Sequence, residues 1–170
     1  MEQKHVHIIS TIVEHKPGVL YTVSNLFRRR GFNIDNISVG PTEESGIARM
    51  TIMVTGDNRT IEQVIKQLNK LIDVIKVTRL DPENIVTREL ALIKVSATST
   101  KSRSDIINYA DIFRARVVDV CNESLMMEIT GTSDKIDAFI TLMKPFGVKE
   151  VARTGITSLS RGPKSVKIDE

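Results

Sequence analysis

One order of secondary-structure patterns occurs twice along this chain of 170 residues, and this repeat constrains the fold more than any other feature. In the first half, alternating β-branched segments predict four strands, and apolar residues at helical spacing predict two helices. The predicted order is strand, helix, strand, strand, helix, strand, over residues 5–13, 19–30, 33–41, 46–54, 58–72 and 74–80. Asn58 or Thr60 is the expected N-cap of the second helix.

The pattern restarts after the polar stretch Asp81-Pro82-Glu83-Asn84. Ala91, Ile93, Val95 and Ala97 share one face of the next predicted strand, and the remaining elements are expected at about 102–113, 115–121, 125–131, 136–143 and 148–154. The sequence therefore predicts an α+β fold of two consecutive ferredoxin-like βαββαβ domains, each an antiparallel sheet with two helices on one face. Because the open sheet faces and edge strands need partners, we expect an obligate oligomer, at least a dimer.

The first predicted helix opens with Pro17 and Gly18, closes with three arginines, Arg28 to Arg30, and is capped by Gly31. Its apolar stripe comprises Val19, Leu20, Val23, Leu26 and Phe27. First-turn amides around Gly18 to Leu20 lack intrahelical partners, so they can bind a carboxylate, and Asn33 reaches the same ligand if the next strand lies alongside. An ordinary loop-to-helix turn is the alternative, and the residues alone leave both open.

Composition and charge weigh against several other classes of protein. The net charge is +3, and no Trp, two Tyr and five Phe leave few rings for stacking on bases, so we expect no nucleic-acid binding. The first residues lack the basic-then-apolar run of a signal peptide, and no apolar window approaches the ~18 residues of a membrane span. We therefore expect a soluble cytoplasmic protein. Cys121 is expected to be a packed core side chain rather than a nucleophile.

Candidate catalytic groups are few. The three histidines, His5, His7 and His15, have no Ser or Cys nearby in a nucleophile context. His5 and His7 share one strand face, but two imidazoles seldom hold a metal without carboxylates, so solvent-facing or packed histidines are favoured over a metal site. The glycines form neither GxGxxG nor a phosphate loop. We expect no catalytic site and no metal in this chain.

Several segments together resemble one protein family. The stretch from His7 to Asp57 is similar to the N-terminal ACT domain of acetolactate synthase small, regulatory subunits. The resemblance continues through RELALIKV, IFRARVVDV, EITGTSDKIDAFI and EVARTGITSLSRG into that family's C-terminal domain, so it extends from about Val6 to Gly162. It implies a noncatalytic partner of the large subunit, in which thiamine diphosphate, magnesium and FAD are expected, and feedback by valine or a related branched-chain amino acid in isoleucine, valine and leucine biosynthesis.

The resemblance also implies an effector site between two ACT domains of a homodimer. In this chain the implied residues are His15, Pro17, Gly18, Val19, Leu20, Asn33 and Ile34, with Glu14 and Lys16 in the same loop. His15 stands where family members commonly have Asn, which bears on which amino acid is bound.

Four segments follow from this reading: an effector-binding ACT domain over 1–80, a linker over 81–87, an activating ferredoxin-like domain over 88–160 and a flexible tail over 161–170. The alternative function is a stand-alone amino-acid-sensing ACT protein that acts on another enzyme or on transcription.

Overall fold

The computed structural model describes residues 5–163 and 166. By its internal contacts the chain divides into two units. The first unit runs to Val86 and resumes at Thr157, and the second is Thr87–Ile156. Within the described part of the chain, no helix is long and apolar enough to cross a membrane.

The first unit contains four strands and two helices in the predicted order. They are β1 (His5–Glu14), α1 (Val19–Arg30), β2 (Asn36–Pro41), β3 (Ile47–Gly56), α2 (Asn58–Leu68) and β4 (Val74–Leu80). The antiparallel sheet has the strand order β2-β3-β1-β4, which leaves β2 and β4 at its edges. This is the ferredoxin-like arrangement that the sequence predicts.

The core of the first unit lies between the sheet and the two helices. Alternate residues of β1 and β3, such as Ile9 and Ile52, point to the same face and are fully buried. They pack against the buried helix residues Val19, Val23, Phe27, Ile61, Val64 and Leu68. Asp57, rather than the expected Asn58 or Thr60, caps α2, because its side chain accepts a hydrogen bond from the Thr60 amide at 2.6 Å.

The second unit repeats the plan with β5 (Ile85–Ser96), α3 (Thr100–Phe113), β6 (Arg116–Val120), β7 (Ser124–Gly131), α4 (Ser133–Met143) and β8 (Val148–Arg153). Its strand order is β6-β7-β5-β8. Ala91, Ile93, Val95 and Ala97 are all fully buried, as their shared face predicts. Ser99 caps α3 through a reciprocal capping box with Ser102, so this helix begins earlier than predicted.

An ion-pair network joins three elements of the second unit. The Arg153 guanidinium on β8 contacts the buried Glu89 carboxylate on β5 and the exposed Asp137 carboxylate on α4. These hydrogen bonds, chiefly the one with Glu89, raise the pKa of Arg153 above its ordinary value. The network ties the edge strand β8 to the neighbouring strand and helix.

Leu20, Ile72 and Ile107 are apolar residues of the predicted helices, and the structure leaves them exposed. Leu20 and Ile107 each follow a buried residue, Val19 or Ile106, and helical geometry turns them about 100° away from the core. Ile72 is 94% exposed because α2 ends at Leu68, four residues before the end of the predicted helix.

The chain from Thr157 onward differs from its predicted placement. Residues 157–160 were expected in the second domain, but they form a further strand, β9 (Thr157–Ser160), which belongs to the first unit and pairs with β5. β5 itself begins at Ile85, inside the expected linker. We call residues 157–163 and 166 the return segment.

The return segment includes part of the expected flexible tail. Arg161 donates its amide to the Asn84 carbonyl and its Nε to the Ile85 carbonyl, and Val166 is only 7% exposed. Those two residues are thus held by the first unit. Residues 164, 165 and 167–170 of the expected tail lie outside the described residues.

Candidate functional site

The loop between β1 and α1 is held at both of its ends. The His15 amide donates to the Gly46 carbonyl at 2.7 Å, which joins the loop to the turn before β3. The Lys16 ammonium contacts the Glu14 carboxylate and lies 2.6 Å from an Asp73 oxygen. Hydrogen bonds with Asp73 and then Glu14 raise the pKa of Lys16. These contacts fix the backbone that leads into the helix.

The start of α1 presents backbone donors. Gly18 is the N-cap with φ of 91°, a left-handed conformation that glycine adopts without strain, and its carbonyl accepts from the Thr22 amide and hydroxyl. Over the described residues, the amides of Gly18 and Leu20 donate to no protein acceptor, whereas the Val19 amide makes a long contact of 3.5 Å with the Lys16 carbonyl. Amides at a helix start, together with the helix dipole, favour a bound anion.

The side chains around these amides differ in burial. Val19 anchors the turn in the core, whereas His15 and Pro17 are exposed and Leu20 is 47% exposed. The inner side of the site is therefore fixed in the core, and its outer side is exposed.

Asn33 and Ile34 lie at the other end of α1. The Asn33 Nδ2 donates to the Asp35 carboxylate at 2.7 Å, and Ile34 packs on the edge of the core. A helix of twelve residues is about 18 Å long, so in one chain these two residues do not meet the Gly18 amides. Within one chain α1 separates the two sets of residues, so a ligand that contacts both sets requires a second chain, and the implied site between two ACT domains stays a prediction.

Two clefts of the first unit are lined by residues other than the predicted site residues. One, of about 400 Å³, lies between α1 and α2 and is lined by Tyr21, Thr22, Asn25, Leu26, Arg29, Arg30, Gln67 and Leu71. The other, of about 570 Å³, lies between β4 and the return segment.

His7 has a structural environment. Its ring is 6% exposed, with Nε2 3.1 Å from the Gly56 carbonyl and Nδ1 3.1 Å from an Arg79 nitrogen. Both ring nitrogens are thus occupied, and His5 is exposed. Among the described residues, no group of three or more His, Cys, Asp or Glu side chains is placed to hold a metal ion.

Cys121 is exposed, so the expectation of a packed core side chain is wrong. It follows the last residue of β6 and lies in the turn to β7, where an alternating strand pattern no longer determines burial. Its Sγ lies 3.0 Å from the Ser124 hydroxyl, and this hydrogen bond lowers the pKa of the thiol.

Asp73 is the site residue that sequence reasoning missed. It follows α2 in a short connection, and its carboxylate holds Lys16 while its carbonyl accepts from the Glu14 amide. No spacing in the sequence indicates this contact, because it depends on how β1 and β4 pair.

Comparisons with known proteins match both units. A family profile for the AHAS small subunit-like ACT domain matches residues 9–76, and one for the small subunit of acetolactate synthase matches residues 88–162. The chain is 59% identical over 160 residues to a probable acetolactate synthase small subunit of Methanothermobacter thermautotrophicus, covering 94% of this chain and 95% of that one. It is 51% identical to the small subunit of Mycolicibacterium smegmatis, with 94% of each chain covered.

A solved structure supports the same relationship. The crystal structure of the acetolactate synthase small subunit from Thermotoga maritima superposes with a TM-score of 0.88 at 47% identity, over 94% of this chain and 99% of that one. Two family profiles, high identity over nearly full length and a shared fold agree with one another. The chain therefore belongs to the family of acetolactate synthase small subunits, the regulatory partners of a catalytic large subunit.

Proposed function

We propose that this chain activates the large subunit of acetolactate synthase in the cytoplasm and makes it sensitive to feedback by valine or a related branched-chain amino acid. The large subunit, with thiamine diphosphate, magnesium and FAD, carries out the condensation of pyruvate to 2-acetolactate. The observation that carries the effector part of this proposal is the set of amides at the start of α1, next to a loop that Asp73 and Gly46 hold in place.

The effector's carboxylate would bind at the amides of Gly18, Val19 and Leu20. The Asn33 side chain suits the effector's ammonium group: its nitrogen already donates to Asp35, which leaves its carbonyl oxygen to accept a hydrogen bond. Ile34, beside it, offers an apolar surface for a branched side chain. These two sets of contacts match the two ends of a zwitterion.

A twofold pairing of two chains through β2 would unite the two sets. β2 is an edge strand whose first residue pairs with Met53 and whose last pairs with Ala48, at the loop end of the sheet. When an edge strand pairs antiparallel with its own copy, the start of one strand lies beside the end of the other. Asn33 of one copy would then face the Gly18 loop of its partner, and each dimer would have two effector sites.

His15 bears on which effector is bound. Its side chain is exposed at the entrance of the loop, while its amide is committed to Gly46. An imidazole there offers one donor and one acceptor where the family's usual Asn offers two donors and an acceptor. We therefore propose that His15 adjusts effector selectivity without contributing to the carboxylate contacts.

We propose that the two units have separate functions. We assign effector binding to the first unit and activation of the large subunit to the second unit, Thr87–Ile156. Because allosteric coupling is reciprocal, the large subunit should change effector affinity by the same factor as the effector changes binding of the large subunit.

The test is acetolactate formation by the large subunit of the same organism, with and without this chain, over a titration with valine. We expect stimulation by the chain and reversal of that stimulation by valine. Stimulation that valine leaves unchanged, together with no valine binding by calorimetry, would reject the effector assignment. An absence of stimulation would reject the activating role.

A further inference from the structure

We propose that the return segment is a strap that docks on the outer face of the first unit's sheet, and that its docking is linked to occupancy of the effector site. The outer face is the side of the sheet opposite α1 and α2. The link rests on the proposed function, since it requires an effector at the start of α1.

An apolar contact holds one end of the strap. Val166 packs in a small cluster with Ile12, Leu80 and Ile85, and partly buried Ile8 and Ile47 lie against this cluster. Ile12 and Leu80 are each only 2% exposed. This cluster is separate from the main core between the sheet and the helices. Burial of Val166 therefore contributes to covering a face that the helices leave open.

Arg49 provides a polar anchor for the same end. Its guanidinium donates to the Val166 carbonyl at 3.3 Å and to the buried Ser10 hydroxyl at 3.3 Å. Arg49 lies on β3, opposite Gly40 of β2 and Ile12 of β1. The anchor therefore lies on the strand that β1 and β2 both flank.

The other end of the strap contacts β2 directly. The Thr157 hydroxyl lies 3.2 Å from the Ser38 hydroxyl, and Ser38 is the third residue of β2. β2 follows Asn33 and Ile34, which we assign to the effector site. A ligand that draws these residues toward a partner chain would displace Ser38 relative to Thr157, so strap docking and ligand binding bias each other.

The docked strap also contains a feature that weakens docking. Ser158 is 1% exposed, and its hydroxyl has no hydrogen-bond partner among the described residues. A buried hydroxyl without a partner loses its hydrogen bonds with water on docking. Docking therefore depends on a small apolar cluster, a few hydrogen bonds and the pairing of the four-residue strand β9 with β5, and this loss opposes it. Such a segment opens locally before the whole unit unfolds.

The first test compares two substitutions in the strap of the full chain. Val166→Asp places a charge in the buried cluster, whereas Leu159→Asp places the same charge at a position that is 55% exposed. Hydrogen exchange of the Arg161 amide, which donates to Asn84, reports docking. We expect Val166→Asp to accelerate this exchange at least tenfold and Leu159→Asp to change it less than twofold. Equal exchange in the two variants would overturn the docked strap.

The second test measures the link with valine as the probe. We expect the Kd of Val166→Asp for valine to differ at least fivefold from that of the unmodified chain, and that of Leu159→Asp to differ less than twofold. If Val166→Asp fails to fold, Arg49→Ala replaces it, since that change removes the hydrogen bonds with the Val166 carbonyl and the Ser10 hydroxyl. Unchanged valine affinity in a variant with a released strap would overturn the link alone. Failure of the unmodified chain to bind valine would overturn the effector assignment and with it the link, while the exchange result still decides docking.

Discussion

Gly18 has a left-handed backbone conformation and lies at the proposed carboxylate site, and two substitutions can test these properties separately. Its φ of 91° disfavours any other residue by about 1 to 3 kcal/mol, but a Cβ added there meets no atom within 4 Å. Gly18→Asn and Gly18→Asp share the backbone cost, and both residue types tolerate left-handed conformations better than most. Only Asp adds a charge where the effector carboxylate would lie.

We expect Gly18→Asp to abolish valine binding, because two carboxylates would compete for the same amides. Gly18→Asn should retain binding that is weakened by about tenfold or less, an effect of ~1.4 kcal/mol. Calorimetry of both variants, with thermal unfolding as the check on folding, makes this measurement. Equal affinities of the two variants would show that the anion does not bind at these amides.

His7 predicts a dependence of stability on pH. Burial lowers its pKa below the ordinary value, Arg79 and His5 lower it further, and the hydrogen bond with the Gly56 carbonyl partly opposes these effects. An unfolded chain has a His pKa of about 6.5, so below that pH the unfolded state binds more protons and the folded state loses stability until its own pKa is passed. The first unit should therefore be less stable at about pH 5 than at about pH 7.5.

The matched variants for this prediction are His7→Gln and His5→Gln. Glutamine at position 7 can still donate to Gly56 but does not titrate, so its urea midpoint should fall less between the two pH values than that of the unmodified chain. His5→Gln removes an exposed histidine whose effect on the pKa of His7 is the smallest of those named, so its midpoint should fall nearly as much as that of the unmodified chain. A smaller fall in the midpoint of His5→Gln than in that of His7→Gln would show that the pH dependence does not arise from His7.

At the scale of elements, the Arg153 network makes the edge strand β8 depend on one buried charge. The Glu89 side chain is 5% exposed, so removal of its partner leaves a carboxylate without compensation. We expect Arg153→Ala to lower the free energy of unfolding by about 2 to 3 kcal/mol, below the 3 to 5 of a fully buried pair because Arg153 is partly exposed. Asp137→Ala, at the exposed end of the network, should cost about 1 kcal/mol or less.

A double variant distinguishes neutralisation of Glu89 by Arg153 from packing of the Arg153 side chain. Glu89→Gln in the Arg153→Ala background removes the uncompensated charge and should restore part of the lost stability in urea denaturation. No recovery would mean that Arg153 stabilises the unit by packing rather than by neutralising Glu89.

Elements that depend on local contacts were predicted from the sequence, whereas elements that depend on contacts between distant segments were not. α1 begins and ends where Gly18 and Gly31 indicate, because helix caps are local in sequence. β9 was missed, since four residues of mixed polarity carry little strand signal and their pairing with β5 joins distant segments. The burial of Cys121 was misjudged for a related reason: a strand pattern does not indicate the residue at which the hairpin turns.

The candidate site was predictable in its parts but not in its arrangement. The residues at each end of α1 could be named from the sequence, because a Pro-Gly helix start and an Asn after a Gly cap are local features. Their separation by the length of the helix and the role of Asp73 depend on three-dimensional packing. Family resemblance indicated an interface between two chains, which is the arrangement that this separation requires.

At the scale of the whole molecule, the proposed pairing through β2 can be tested with two edge-strand valines. Val39 on β2 is 44% exposed, and Val120 on β6, an edge strand of the second unit, is 64% exposed. We expect Val39→Asp to shift the sedimenting mass from that of a dimer toward the 19.0 kDa of one chain and to abolish valine binding. Val120→Asp should leave both unchanged. Dissociation by Val120→Asp alone would place the dimer interface on the second unit.

The first unit is assembled from two stretches of chain, and all of Thr87–Ile156 lies between them. A ribosome therefore delivers the whole second unit before it delivers Val166. Until then Ile12 and Leu80 are without the valine that completes their cluster. The nascent protein thus passes through a stage in which its second unit can already be folded while its first unit exposes an apolar face. At this stage we expect chaperones to bind the N-terminal part of the chain.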